Sequence, residues 1–235
     1  MHLEFRISLD KLDSSAYPEF FPESIDYFLN EAQERLVKNR YGRNNLFRAG
    51  FEEIQKRTED LKVLVVTRYP AISVVAEEEN TYRLDLSDLS DDKARQITSV
   101  DKYMFYLRSR LEVNKAGCTT SFQSPQVVQQ DDLEEVKQDP FKRPSLNKPV
   151  IYFEEGNIYA ITSGDFTIDS ARVTFLKRPV QMKFGTVYST LDVDRDCELS
   201  EHLHKEIVQR AVDIALENIE SPRQQTIQPQ LNKLE

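Results

Sequence analysis

Cysteine is nearly missing from this chain: Cys118 and Cys197 are the only two in 235 residues. Two are too few for a disulfide framework or a cysteine-built metal cluster, so both read as free thiols in a reducing compartment. Histidine is as scarce, with His2, His202 and His204 the full set. A hydrolytic nucleophile needs a base beside it, and none of the three lies near a Gly-x-Ser-x-Gly elbow or a signature cysteine. The six glycines are too scattered to form the Walker or Rossmann spacing, which excludes the glycine-rich phosphate loops. No apolar run approaches the ~20 residues of a membrane helix. The opening MHLEFRISLDKL alternates apolar and polar residues instead of carrying the apolar centre of a signal peptide, so it reads as a strand and no membrane partner is implied. Positive charge is also in deficit, with 31 Lys and Arg against 40 Asp and Glu and a net charge of -9. A surface built to neutralise phosphates is not expected from that balance.

The stretch that most resembles a chemical site is DVDRDCELSEHLHKE, from Asp192 to Glu206. A calcium loop wants oxygen ligands at its positions 1, 3 and 5, a Gly at 6 and a bidentate Glu at 12. Asp192, Asp194 and Asp196 supply the first three, but Cys197 and Leu203 stand where the Gly and Glu must be. Zinc histidines on a helix sit one turn apart, whereas His202 and His204 are two residues apart and face different sides. The better reading is a helix start: Ser200 as N-cap, Glu201 at the positive end of the dipole, then Leu203, Ile207, Ala211 and Ile214 as an apolar face, ended by Ser221-Pro222. Carboxylate runs such as Glu77-Glu78-Glu79, Asp131-Asp132 and Glu134-Glu135 read as solvated turns. YMFYLRSR could offer Tyr103, Phe105 and Arg108 for base stacking, but in so acidic a chain it reads as a strand burying Met104 and Tyr106. No metal, cofactor or catalytic residue is assigned.

The pattern of elements is α+β. FPESIDYFLNEAQERLVKNRYG is a helix opened by Pro22 and Ser24 and stopped by Gly42, with Ile25, Phe28, Leu29, Ala32 and Leu36 on one face. A second helical pattern places Phe47, Phe51, Ile54 and Leu61 on a stripe. The expected architecture is a helical hairpin or bundle of these two helices plus the C-terminal helix, with an antiparallel β-sheet or small β-sandwich of five to seven strands. As one domain over 1–235, helices fall in 22–62 and 200–220 and strands in 63–114 and 149–190. In the β region KVLVVTRY, AISVVAEE, TYRLDLS, KYMFYLRSRLEV and SARVTFLKRP are strands, and PVIYFEEGNIYAITS is a hairpin about Glu155-Gly156-Asn157. Residues 115–148 form a long proline-bearing insertion with at most a short helix near Asp132 to Lys137, and 221–235 a polar tail.

Taken in order, ESIDYFLNEAQERLVKNRYG, GFEEIQKRTEDLKVLV, DPFKRP, PVIYFEEGNIYAI, VTFLKRP and CELSEHLHKEIVQRAVDIALENIESPR resemble the head-to-tail connector or ring proteins of crAss-like short-tailed bacteriophages. That resemblance implies a virion structural protein assembled in the host cytoplasm and lacking an enzymatic centre. It implies a homo-oligomeric, dodecameric ring below the portal protein, continuing a channel that passes DNA without binding it specifically, and docking neighbouring tail or ring proteins. A tail-tube or nozzle subunit, and less so an uncharacterised phage enzyme, are the alternatives. A ring uses two different surfaces per copy, and the insertion and tail are natural arms that become ordered against neighbours. Val127, Val128, Phe141, Ile227 and Leu231 are their apolar anchors and the candidate subunit or portal interface.

Because residues 192–206 fail both ligand templates, metal analysis of protein never exposed to chelator should find neither zinc nor calcium in stoichiometric amount. A melting temperature that falls on chelation would contradict this.

Overall fold

The computed structural model describes residues 1–10, 20–42, 55–76, 78, 80–94, 101–184 and 194–218. Their helices are α1 (His2–Asp10), α2 (Pro22–Tyr41), α3 (Gln55–Leu61), α4 (Leu133–Gln138) and α5 (Glu201–Asn218). The strands are β1 (Val65–Val74), β2 (Thr81–Ser90), β3 (Tyr103–Asn114), β4 (Ser121–Gln123), β5 (Gln126–Val127), β6 (Val150–Glu154), β7 (Asn157–Ile161) and β8 (Thr167–Lys177). The fold class is thus α+β. The chain divides into two compact units, one of Met1–Leu64 with Pro179–Glu235 and one of Val65–Arg178.

In the first unit α2 forms where the signals are strongest. Pro22 pre-sets the first helical turn, Lys38 and Arg40 lie at the negative end of the dipole, and the Gly42 amide donates to the Lys38 carbonyl at 2.9 Å. Its buried stripe of Ile25, Phe28, Leu29, Ala32 and Leu36 is the expected one. It packs on α5, whose Leu203, Ile207, Ala211 and Ile214 are buried as the periodicity requires; Ser221-Pro222 lies outside the described residues. The N-terminal segment differs from expectation: it is the helix α1, not a strand. Phe5 and Leu9 are buried while Leu3 and Ile7 are exposed. Residues four apart share a helix face just as they share a strand face, so alternation over so short a run fits both. Phe5 stacks on Phe28 with ring centroids 6.2 Å apart, and that contact favours the helix. Of the expected second helix, Gln55–Leu61 is helical with Leu61 fully buried, and Phe47, Phe51 and Ile54 lie outside the described residues.

The same unit buries polar groups. Arg40 is 1% exposed; its Nε stands 3.1 Å from Asp60 Oδ2 and its terminal nitrogen 2.9 Å from Glu206 Oε2. Arg210 meets the other Glu206 oxygen at 3.1 Å, and His202 Nε2 lies 2.9 Å from Asp60 Oδ1. Two guanidiniums therefore face two carboxylates across α2, α3 and α5. Gln33, also 1% exposed, has no hydrogen-bond partner for either end of its amide among the described residues.

In the second unit the strands form one eight-stranded sheet in the order β4-β3-β8-β1-β2-β7-β6-β5. All pairs are antiparallel except β5 with β6, so the sheet is mixed and single, in place of the antiparallel sheet or sandwich expected. Strands β4 and β5 lie at opposite ends of that order, yet only Ser124 and Pro125 separate them in sequence. Three Cα steps span at most ~11 Å, so the sheet must curl until its two edges meet. Inside the curl lie Leu84, Leu111, Ile151, Ile158, Val173 and Phe175.

Three details depart from simple strand reading. KVLVVTRY and AISVVAEE are not two strands: β1 runs through Pro70, where the pairing with β2 shifts register between Pro70 and Ala71. A bulge is the place where a residue without an N–H is tolerated. In β3, register shifts between Tyr103 and Phe105 and between Tyr106 and Arg108 let Tyr103 and Tyr106, three apart, both pack on the core. The Glu155-Gly156 turn of the β6–β7 hairpin is as expected, with φ of 48° and 75° matching the two positive values of a type I′ turn.

Residues 115–148 carry the short helix expected near Asp132 to Lys137, as α4, and otherwise differ from the irregular insertion expected. They hold β4, β5, a 3-10 turn at Gln130–Asp132 and α4, and Val128, Val136 and Val150 form a small buried cluster. Two short edge strands and one apolar side of α4 suffice to seat the segment on the sheet.

Ile207→Asp should lower unfolding stability by several kcal/mol, on the scale of ~3–5 for an uncompensated buried charge. Gln33→Met should instead raise it by about 1–3 kcal/mol, by removing an unpaired buried amide. Urea denaturation of the two variants beside the parent decides both signs.

Candidate assembly surface

The three histidines are engaged in structural contacts. His202 contacts Asp60, and His204 Nε2 lies 2.9 Å from the Leu199 carbonyl. His2 Nε2 is 2.7 Å from Asp26 Oδ1, and its ring stacks on Phe184 at 4.8 Å. Asp26 gives its other oxygen to the Phe184 amide at 3.0 Å. Beside it, the Asn30 amide pairs with both backbone groups of Met182, at 2.9 and 2.7 Å. One turn of α2 thereby fastens both the start of α1 and the segment that follows the sheet. Asp194 and Asp196 lie exposed on either side of Arg195, whose backbone pairs with Lys183; Asp192 is outside the described residues. Among the described residues no three His, Cys, Asp or Glu side chains gather as a metal would require.

Shifted titrations follow the same structural logic. Hydrogen bonds from Lys93 and Ser170 hold the Glu112 carboxyl below its usual range at the rim of β3 and β8. Burial, with Glu78 nearby, pushes the Tyr152 phenol well up on the outer side of β6. Burial likewise raises the Cys197 thiol, which leaves it a poor nucleophile.

What the surface does present is apolar. Phe141 is 96% exposed and stands on a turn that follows α4. The Asp139 carboxylate accepts from the Phe141 amide at 2.9 Å, and the Asp139 carbonyl accepts from the Arg143 amide at 2.9 Å. Lys142 bonds Glu135 of α4 at 2.9 Å, a contact that raises the lysine's pKa. The turn is therefore set in advance, and the ring of Phe141 projects from it without cover. Val127, on the edge strand β5, is half exposed. Val128, its neighbour, faces the other way and is taken up in packing with Val136 and Val150. Ile227 and Leu231 lie outside the described residues.

A second apolar area was not foreseen from the sequence. Leu3 (70% exposed) and Ile7 lie one turn apart on the outer side of α1, and Phe21 (75%) and Tyr27 are exposed at the start of α2. Its signal was present in the N-terminal alternation, which puts apolar residues on both faces of a helix.

A family model described as phage tail ring protein 3/4 matches residues 2–226. Ring protein 3 of Bacteroides phage crAss001 is 26% identical over 196 residues, covering 80% of this chain and 81% of that protein. Ring protein 4/5 of the same phage is 23% identical over 226 residues, covering 90% of this chain and 89% of that protein.

Phe141→Ser should leave the melting temperature within about 1 °C of the parent, since the side chain touches little of its own chain. Val128→Ser should cost about 1–3 kcal/mol by placing a hydroxyl in a closed apolar cluster. Thermal denaturation followed by circular dichroism tells the two positions apart.

Proposed function

The chain belongs to the phage tail ring protein 3/4 family, and on that premise we propose that it forms a portal-proximal ring of the head-to-tail connector. Copies of the chain close into a dodecameric annulus that docks on the portal protein, carries the neighbouring tail or ring proteins and extends the channel for DNA. The protein acts by assembly alone and performs no catalysis. The match of a ring-protein family over residues 2–226 is the observation that carries this reading.

Physical features support it. An annulus needs two unlike surfaces on each copy, and exposed apolar groups occur in both units, among them Phe141 in one and Leu3, Ile7, Phe21 and Tyr27 in the other. Each phosphate that a protein neutralises strengthens its hold on DNA, so a chain of net charge -9 suits a passage through which DNA must slide. The tail 221–235 serves as an arm laid on a neighbour, with Ile227 and Leu231 as its anchors, while Phe141 and Val127 act from the sheet unit.

Negative-stain images of the purified protein, alone and mixed with portal protein, test this directly. Annular particles that stack coaxially on the portal are expected. Particles that stay monomeric at high concentration and leave the portal bare would refute it.

A further inference from the structure

We propose that the contact between neighbouring copies in the ring is made by the Phe141 turn of one copy seated on the apolar side chains exposed on α1 and at the start of α2 in the next. The inference rests on the ring reading and names the two faces that would meet.

Four observations converge on it. A cyclic assembly joins unlike faces, so each copy must carry both halves of the contact. Phe141 has the greatest exposure of the large apolar side chains described, and Leu3 and Phe21 follow at 70% and 75%. A knob and a receiving area are thus present on separate parts of the chain. The second observation is preorganisation. Asp139 sets the Phe141 turn through two hydrogen bonds at 2.9 Å, and Pro22 fixes the chain beside Phe21. Neither half has to be ordered on binding, which removes a main cost of association.

The third observation concerns how the receiving area is held. The 2.7 Å contact of His2 with Asp26 fastens α1 to α2. Leu3 and Tyr27 are the residues next in sequence to that pair, and below them Phe5 stacks on Phe28. The exposed groups therefore stand on a packed aromatic base. The fourth is charge. Arg143, two residues after Phe141, is exposed, whereas Lys142 is already paired with Glu135 and Asp139; the described exposed residues of α1 and the start of α2 include Glu4 and Glu23 beside Arg6. Opposite charges around an apolar centre are the arrangement of a specific interface, with anchors inside and a polar rim.

The test uses full-length protein in which Cys118→Ser and Cys197→Ser remove the native thiols. One preparation adds Pro140→Cys and a second adds Arg6→Cys, exposed neighbours of Phe141 and Ile7 that leave both apolar anchors in place, and each is oxidised alone and as a mixture. A disulfide-linked dimer on a denaturing gel is expected from the mixture and from neither preparation alone. Both positions are exposed, so the variants should fold as the parent does, and microscopy of the same samples reports whether annuli form. Annuli without the mixed dimer overturn this contact and leave the ring reading standing. Absence of both annuli and dimer overturns the two together. As a second arm, Arg143→Glu, which leaves the Lys142–Glu135 pair of the turn intact, should weaken annulus formation at least tenfold in concentration. Glu4→Lys with Glu23→Lys in the same chain should recover most of it, and a failure to recover contradicts the charge pairing.

Discussion

The Arg40 guanidinium is where the helical unit is decided. It is buried at the end of α2 and shared between Asp60 of α3 and Glu206 of α5, carboxylates 20 and 166 residues away along the chain. It is the cation the two acids share, with His202 also in contact with Asp60 and Arg210 completing the neutralisation of Glu206. Ionic clusters of this kind add little net stability, because desolvation offsets most of the Coulomb gain. Removing one member is what costs, at ~3–5 kcal/mol, since it strands the others. The cluster therefore acts on choice of structure more than on stability. Any slip of α5 along α2 by a turn would separate Glu206 from Arg40, while the aliphatic stripe of Leu203, Ile207, Ala211 and Ile214 could tolerate the same slip.

The sheet unit solves a different problem, that of its own edges. Open strands invite pairing with other chains, and a protein present in many adjacent copies is exposed to that hazard more than most. Its edge strands are three and two residues long, and one dipeptide containing Pro125 joins them. The curl brings both edges to one place and leaves little backbone to pair with. The chain enters and leaves this unit at neighbouring strand ends, since Val65 pairs with Leu176. The most exposed large apolar side chain described in this unit, Phe141, projects from a turn and not from an edge.

Legibility followed the length of the repeating signal. The helix α2, with 20 residues and a proline start, and α5, with 18, could be placed from periodicity alone, as could β3, β8 and the Glu155-Gly156 hairpin. The N-terminal nine residues could not, because Phe5 and Leu9 satisfy both periods, and the deciding contact with Phe28 is tertiary. β5 is too short for any pattern, and its parallel pairing with β6 depends on the intervening α4. Nothing local marks Arg40 for burial, which depends on acids that no local window contains. At the surface, Phe141 could be picked out as an aromatic in a polar stretch. Val127 and Val128 could not be told apart, although adjacent residues of an extended chain must face opposite ways. Only the position of α4 and Val150 shows which of them is covered.

Charge and apolar exposure act over different ranges, and this difference bears on how such a chain waits and then assembles. At physiological ionic strength the repulsion between copies of net charge -9 is screened beyond ~8 Å, so it acts mainly when surfaces are close and wrongly matched. On the proposed contact, it keeps free copies apart while Phe141, Leu3 and Phe21 stand exposed. Apolar burial acts only on contact and scales with the area removed from water. A correct encounter therefore meets a barrier that opposite charges at the rim can lower, and an incorrect one meets the barrier undiminished. On the proposed reading, the acidic balance that suits a DNA passage also discriminates among the ways in which exposed aromatic residues could bring two copies together.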